Sequence, residues 1–153
     1  MSSKPPIVIA SDHAGLLLRQ QIIDLVQGEL GLEITDMGTF TEESVDYPDF
    51  GMKVAGAVSD GTAERGILIC GTGIGMSILA NKFPGVRAAL CHNEMTARMS
   101  REHNDANILV VGERVVHAAD AMQIVRTWFA TDFEGGRHQR RIDKIHDLEV
   151  SRP

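Results

Sequence analysis

The sequence predicts an α/β fold, a three-layer α/β/α Rossmann-like domain with a five-stranded parallel sheet between helices. Three observations carry this prediction. Short, nearly all-apolar runs recur along the chain, IVIAS at 7–11, GILIC at 66–70 and ILVV at 108–111 among them. These runs lack the in–out alternation of a half-exposed sheet, as expected for strands covered on both faces. Amphipathic stretches with helical spacing separate them, and strands alternating with helices pair in parallel through crossover connections.

Residues 7–11 are the first strand. A helix over 16–27 follows, with Leu18, Ile22, Leu25 and Val26 as its apolar positions. Residues 33–37 form a second, short strand. The helix over 48–59 carries Phe50, Val54 and Val58 four residues apart on one face. Residues 66–70 are the third strand, and the helix over 75–82 ends at Pro84-Gly85. A fourth strand spans 86–91, a helix 94–102 and the fifth strand 108–111. The helix over 118–130 holds the only tryptophan, Trp128. A last helix runs from 137 to about 148. Residues 1–6 are expected to be flexible. No repeat, low-complexity segment or linker divides the chain, so its 153 residues are read as a single domain.

Composition narrows the function. With 43% hydrophobic and 24% charged residues, the chain reads as an ordinary globular domain. Its net charge of -6 argues against nucleic acid as the main partner, because phosphate backbones are bound by basic surfaces. A local basic cluster can still hold a small anion. The two cysteines, Cys70 and Cys91, form no spaced framework. Residues 1–6 are too short and polar for a signal peptide, and no apolar run approaches the ~20 residues that span a bilayer. A reducing cytoplasm and no membrane partner are therefore expected.

In open parallel sheets, ligands lie beyond the carboxyl ends of the strands. Asp12-His13-Ala14-Gly15 follows the first strand, and Gly71-Thr72-Gly73-Ile74-Gly75 follows the third, whose last residue is Cys70. His92-Asn93 and Gly112-Glu113-Arg114 follow the fourth and fifth. Glycines alternating just before a helix can aim backbone amides at an anion or a developing oxyanion. The same segment can also be no more than a tight turn. It is a poor dinucleotide fingerprint, since Met76 stands where a third glycine belongs, and no Gly-Lys-Ser or Gly-Lys-Thr of a P-loop exists. A thiol beside a helix N-terminus can have its thiolate stabilised, so Cys70 can serve as a base or nucleophile. It can equally be a small buried hydrophobe at a strand end, the reading that fits Cys91.

His103, at a helix C-terminus, suits an acid held partly protonated by the helix dipole, or a plain C-cap. Arg137 and Arg141, four apart on one helix, can clamp a phosphate or form a solvated face. The six histidines make no pair at metal-ligand spacing on a helix, so no metal is expected.

Together these segments resemble the ribose-5-phosphate isomerase B family, which includes galactose- and allose-phosphate isomerases. The motifs are Ser11-Asp12-His13-Ala14-Gly15, Asp46-Tyr47-Pro48-Asp49, ILICGTGI at 67–74, Asn81-Lys82, REHNDAN at 101–107 and EGGRHQ at 134–139. The resemblance implies a cofactor-free aldose–ketose isomerase acting through an enediolate. It implies Cys70 as the base that moves a proton between C1 and C2. A branch of the family lacking this cysteine uses a glutamate elsewhere. The backbone of Gly71, Gly73, Ile74 and Gly75 would hold the enediolate oxygens, assisted by Thr72. His103 would open the furanose ring, near Asp12 and Asn104. Tyr47 would line the sugar pocket, and His13, Arg137, Arg141 and Arg114 would bind the phosphate. The resemblance further implies a homodimer with active sites completed across the interface, sometimes paired into tetramers. Ribose 5-phosphate is the family's commonest substrate, with tetrose and hexose phosphates among the others. Two other classes are weighed against it. A non-catalytic phosphosugar-binding module is disfavoured by the presence of Cys70 and His103. A dinucleotide-dependent oxidoreductase is disfavoured by the missing first-strand glycine fingerprint.

Overall fold

The computed structural model describes residues 6–152. Of the terminal segment expected to be flexible, 1–5 lie outside the described residues. The strands are β1 (Ile7–Ser11), β2 (Ile34–Asp36), β3 (Gly66–Cys70), β4 (Ala88–Leu90) and β5 (Ile108–Gly112). The helices are α1 (Leu16–Asp24), α2 (Tyr47–Asp60), α3 (Ile74–Ala80), α4 (Glu94–Glu102), α5 (Ala118–Ala130) and α6 (Arg137–Val150). All pairings are parallel and the sheet order is β2-β1-β3-β5-β4.

Alternate strand residues feed two cores. Ile7, Ile9, Ile67, Ile69, Leu109 and Val111 face α1, α4 and α5, with Trp128 fully buried among them. Val8, Ala10, Leu68, Cys70, Ile108 and Val110 face α2 and α3. Both sheet faces are covered, which is why β1, β3 and β5 are apolar throughout.

The sequence-based boundaries shift where side chains or wider turns take over. The first helix relaxes into a π turn over Leu25–Glu29, where the Leu30 amide donates to the Leu25 carbonyl. β2 is shorter than 33–37, although ladder bonds continue at Glu33 and Met37. β4 starts at Ala88 rather than 86, because the Arg87 amide donates to the Asn107 side chain. The Asn81 side chain pairs with both backbone groups of Ala88, tying the end of α3 to β4.

The chain leaves β1 toward one edge of the sheet and returns to β3 on β1's other side. β1 and β3 thus flank a topological switch point, where parallel sheets open a crevice at their carboxyl ends.

Candidate active site

The carboxyl ends of β1, β3 and β5 bring together most of the residues singled out above. Cys70 ends β3, paired in register with Gly112 of β5, and is 5% exposed. Its carbonyl accepts from the Glu113 amide, and the Gly71 carbonyl accepts from the Arg114 amide. The 71–75 turn is therefore strapped to the end of β5. Gly112 makes that contact possible, since a β-carbon there would collide with the Thr72 carbonyl. Gly73 is the N-cap of α3 at φ 81, a left-handed conformation that glycine adopts without strain. A β-carbon on Gly73 would also lie 2.5 Å from Leu90 Cδ1. The turn is a backbone surface that side chains would block.

Three side chains close over this surface. The Tyr47 ring, at the start of α2, lies against Gly75. The Arg114 guanidinium lies over Gly71, with its Nε 3.6 Å from where a β-carbon would stand. The Thr72 hydroxyl accepts from the Ile74 amide at 3.2 Å, holding the first turn of α3. Across the switch point, Asp12 is buried and its Oδ1 accepts from the amides of Ala14 and Gly15. His13 Nδ1 accepts from the Val45 amide at 3.1 Å. That bond leaves Nε2 as the donor of the neutral ring.

The remaining residues lie elsewhere. His103 is the C-cap of α4, a helix that runs back from the carboxyl end of the sheet to its amino end. Just beyond it, the Gly66 amide at the start of β3 donates to the Asn107 carbonyl, and Arg87 donates to the Asn104 carbonyl. β3 separates these two ends by four steps of about 3.3 Å, or ~13 Å. His103 and Asn104 are therefore not near Asp12 within one chain. Adjacency in a motif fixes their local partners but not the end of the sheet that α4 reaches, so the expected grouping with Asp12 does not form within a single chain. Arg137 and Arg141 project from the start of α6 and are exposed. The Glu134 amide donates to the Glu102 carbonyl, docking that segment against the end of α4.

The structure also places residues that the sequence reading passed over. His138, 6% exposed, stacks on His103 with ring centroids 4.2 Å apart, and its Nε2 lies 3.5 Å from Glu134 Oε2. Burial, then the neighbouring His103 and Arg137, hold the His138 imidazole below its ordinary pKa. Arg19 is buried beneath the site, where it donates to the Ser11 hydroxyl and the Thr39 carbonyl and pairs with Asp36 at 3.1 Å. Burial lowers the Arg19 pKa and Asp36 opposes that shift. A charge at the core-facing position of LLLRQQII was the available signal for it. The REHNDAN segment is largely structural: Arg101 pairs with Asp105 and donates to the Ala106 carbonyl, and Asn107 caps the start of β4.

A family model described as Ribose/Galactose Isomerase matches residues 7–145. The chain belongs to this family. It is 45% identical over 146 residues to ribose-5-phosphate isomerase B of Escherichia coli (strain K12), covering 95% of this chain and 97% of that one. The structure of ribose-5-phosphate isomerase B from Clostridium thermocellum matches with a TM-score of 0.92 at 56% identity, covering 95% of this chain and 97% of that one. The Mycoplasma genitalium enzyme, solved with bound ribulose 5-phosphate, matches with a TM-score of 0.92 at 42% identity, covering 96% and 97%. The α/β fold of this isomerase is that of these structures.

Proposed function

We propose that the chain interconverts ribose 5-phosphate and ribulose 5-phosphate through an enediolate, in the cytoplasm and without a cofactor. The observation that carries this reading is Cys70, a buried thiol at the end of β3 directly before the glycine-rich backbone surface. A sugar C–H is a weak acid, so its removal needs a base and a place for the charge left behind. Cys70 and the amides of Gly71, Gly73, Ile74 and Gly75 offer both within a few residues.

In the forward direction the Cys70 thiolate takes the C2 proton of the open-chain aldose. The electrons of that bond form the C1–C2 double bond, and the C1 carbonyl becomes an oxyanion facing the amides, with Thr72 assisting. The O2 hydroxyl proton then moves to O1 as the thiol returns its proton to C1. The product is an isomer, so no electrons leave or enter. His103 acts earlier, moving a proton as the furanose ring opens, beside Asn104 and Asp12. Tyr47 packs along the sugar, and His13, Arg114, Arg137 and Arg141 take the phosphate.

Because His103 and Cys70 stand at opposite ends of one chain, the reading requires a second copy. A two-fold pair, each presenting its amino end to the other's carboxyl end, completes two sites. The edge strand β4 supports this, being half-exposed along its length with Ile145 of α6, 57% exposed, lining the same cavity as Ala88 and Ala89. Tetramers would pair such dimers. Among the described residues no helix is long and apolar enough to cross a membrane.

A panel of C4, C5 and C6 aldose phosphates, offered to EDTA-treated protein with no added cofactor, tests the reading. Turnover of ribose 5-phosphate above the others is expected. Preference for a hexose phosphate would move the substrate, and a requirement for nicotinamide or metal would overturn the mechanism.

A further inference from the structure

The His103–His138 stack is also a cluster of metal-ligating atoms that the isomerisation chemistry does not use as such. His103, Glu134 and His138 each offer one ligand atom, and the three atoms lie within 4.8 Å of one another. They come from three segments: the C-cap of α4, the loop before α6, and the first turn of α6. This explains why no histidine spacing on a single helix reveals the cluster.

Ligands about 2.0–2.2 Å from a tetrahedral ion stand roughly 3.3 Å apart. His138 Nε2 and Glu134 Oε2 are already 3.5 Å apart. The two rings are stacked 13° from parallel, so the partly exposed His103 ring has to turn out of the stack before its nitrogen and that of His138 converge on one ion. The cluster combines a fixed ligand with an approachable one, because His138 is buried while Glu134 is exposed. Two imidazoles and a carboxylate form a three-ligand set that leaves the fourth position open, and it suits a borderline ion such as Zn²⁺ better than Mg²⁺ or Ca²⁺. Arg137 and Arg141 face the same region and repel a cation, which limits the affinity.

We propose that His103, Glu134 and His138 form a binding site for a divalent transition-metal ion of the Zn²⁺ type, and that the bound ion ties up the His103 imidazole. The second part rests on the ring-opening role given to His103 above. The first part does not depend on it.

The experiment is competition between the metal-stripped full-length protein and a chromophoric chelator for Zn²⁺. One zinc per chain is expected in the wild type and in the Cys70→Ser and Cys91→Ser variants. Glu134→Gln and His138→Gln are each expected to weaken it at least tenfold. Glu134 is an exposed side chain, so its replacement leaves the fold intact. Unchanged binding in both variants, or loss in Cys70→Ser, would overturn the site. In turnover, zinc should inhibit the wild type on a sugar phosphate that cyclises and spare Glu134→Gln, whose zinc-free rate stays at the wild-type value. Zinc that binds at these residues without slowing turnover supports the metal site and removes the ring-opening role instead.

Discussion

At the carboxyl end of the sheet the surface beside Cys70 is made of backbone. Gly73 adopts a left-handed conformation, Gly112 admits the Thr72 carbonyl, and Gly75 admits the Tyr47 ring. At the amino end the corresponding groups are side chains on helix termini: His103, His138, Arg137 and Arg141. On the proposed reading, the difference follows from where charge has to be met. An enediolate develops its charge during reaction, and fixed amides meet it without reorganising. A phosphate is charged throughout, and mobile guanidinium groups can reach it from an exposed helix start. On the proposed reading, the carboxyl end would meet the charge of the isomerisation step, and the amino end would supply the ring-opening acid and the guanidinium pair for the phosphate.

The sharpest way to break that division is Cys70→Ser. It should lower turnover by about 10²–10⁴-fold, the usual cost of losing a general base. A phosphorylated hydroxamate that mimics the enediolate should bind nearly as before, and C2 deuterium exchange from solvent should vanish. Near-normal turnover would move the base to another group.

At the opposite end, Arg137→Ala or Arg141→Ala should act on binding. A hydrogen bond to a charged group contributes about 1.5–3 kcal/mol, so the Michaelis constant for a phosphorylated sugar should rise roughly tenfold or more. With the unphosphorylated sugar the variant and wild type should behave alike. Equal losses on both sugars would make these arginines structural.

The smallest effect concerns stability. The His138 pKa is lowered in the folded chain from its ordinary 6.5, so the unfolded chain binds the extra proton first. Its neutral form supports the fold above about pH 6.5, and that contribution is lost as pH falls toward the lower folded value. His138→Gln should flatten the acid side of the unfolding curve in thermal melts between pH 7 and 5, and an unchanged slope would assign the acid sensitivity elsewhere.

The same contrast explains what the sequence discloses. Backbone sites need glycine, and glycine is visible, so the 71–75 turn and Cys70 were legible at the end of the third strand, while the choice between a site and a plain turn came from the family resemblance. The strands and helices were also legible, because burial on both faces leaves uninterrupted apolar runs. The amino end was not. His103 and His138 meet only because α4 runs back along the sheet and the Glu134 amide docks on Glu102. That is tertiary packing, which leaves no local pattern. Arg19 was missed for a related reason: it sits within an apolar face, where its partners Ser11, Asp36 and Thr39 come from other segments.

The central claim is that a working site takes its base from one chain and its ring-opening acid from another, and subunit mixing tests it directly. Cys70→Ser and His103→Asn are each expected to be nearly inactive on ribose 5-phosphate. If sites are shared, a mixed pair holds one site with both lesions and one with neither. After complete exchange of equal amounts, half the pairs are mixed, so about a quarter of wild-type turnover should return. Turnover that stays at the level of the two parents, with mixed pairs shown to have formed, would contradict the account.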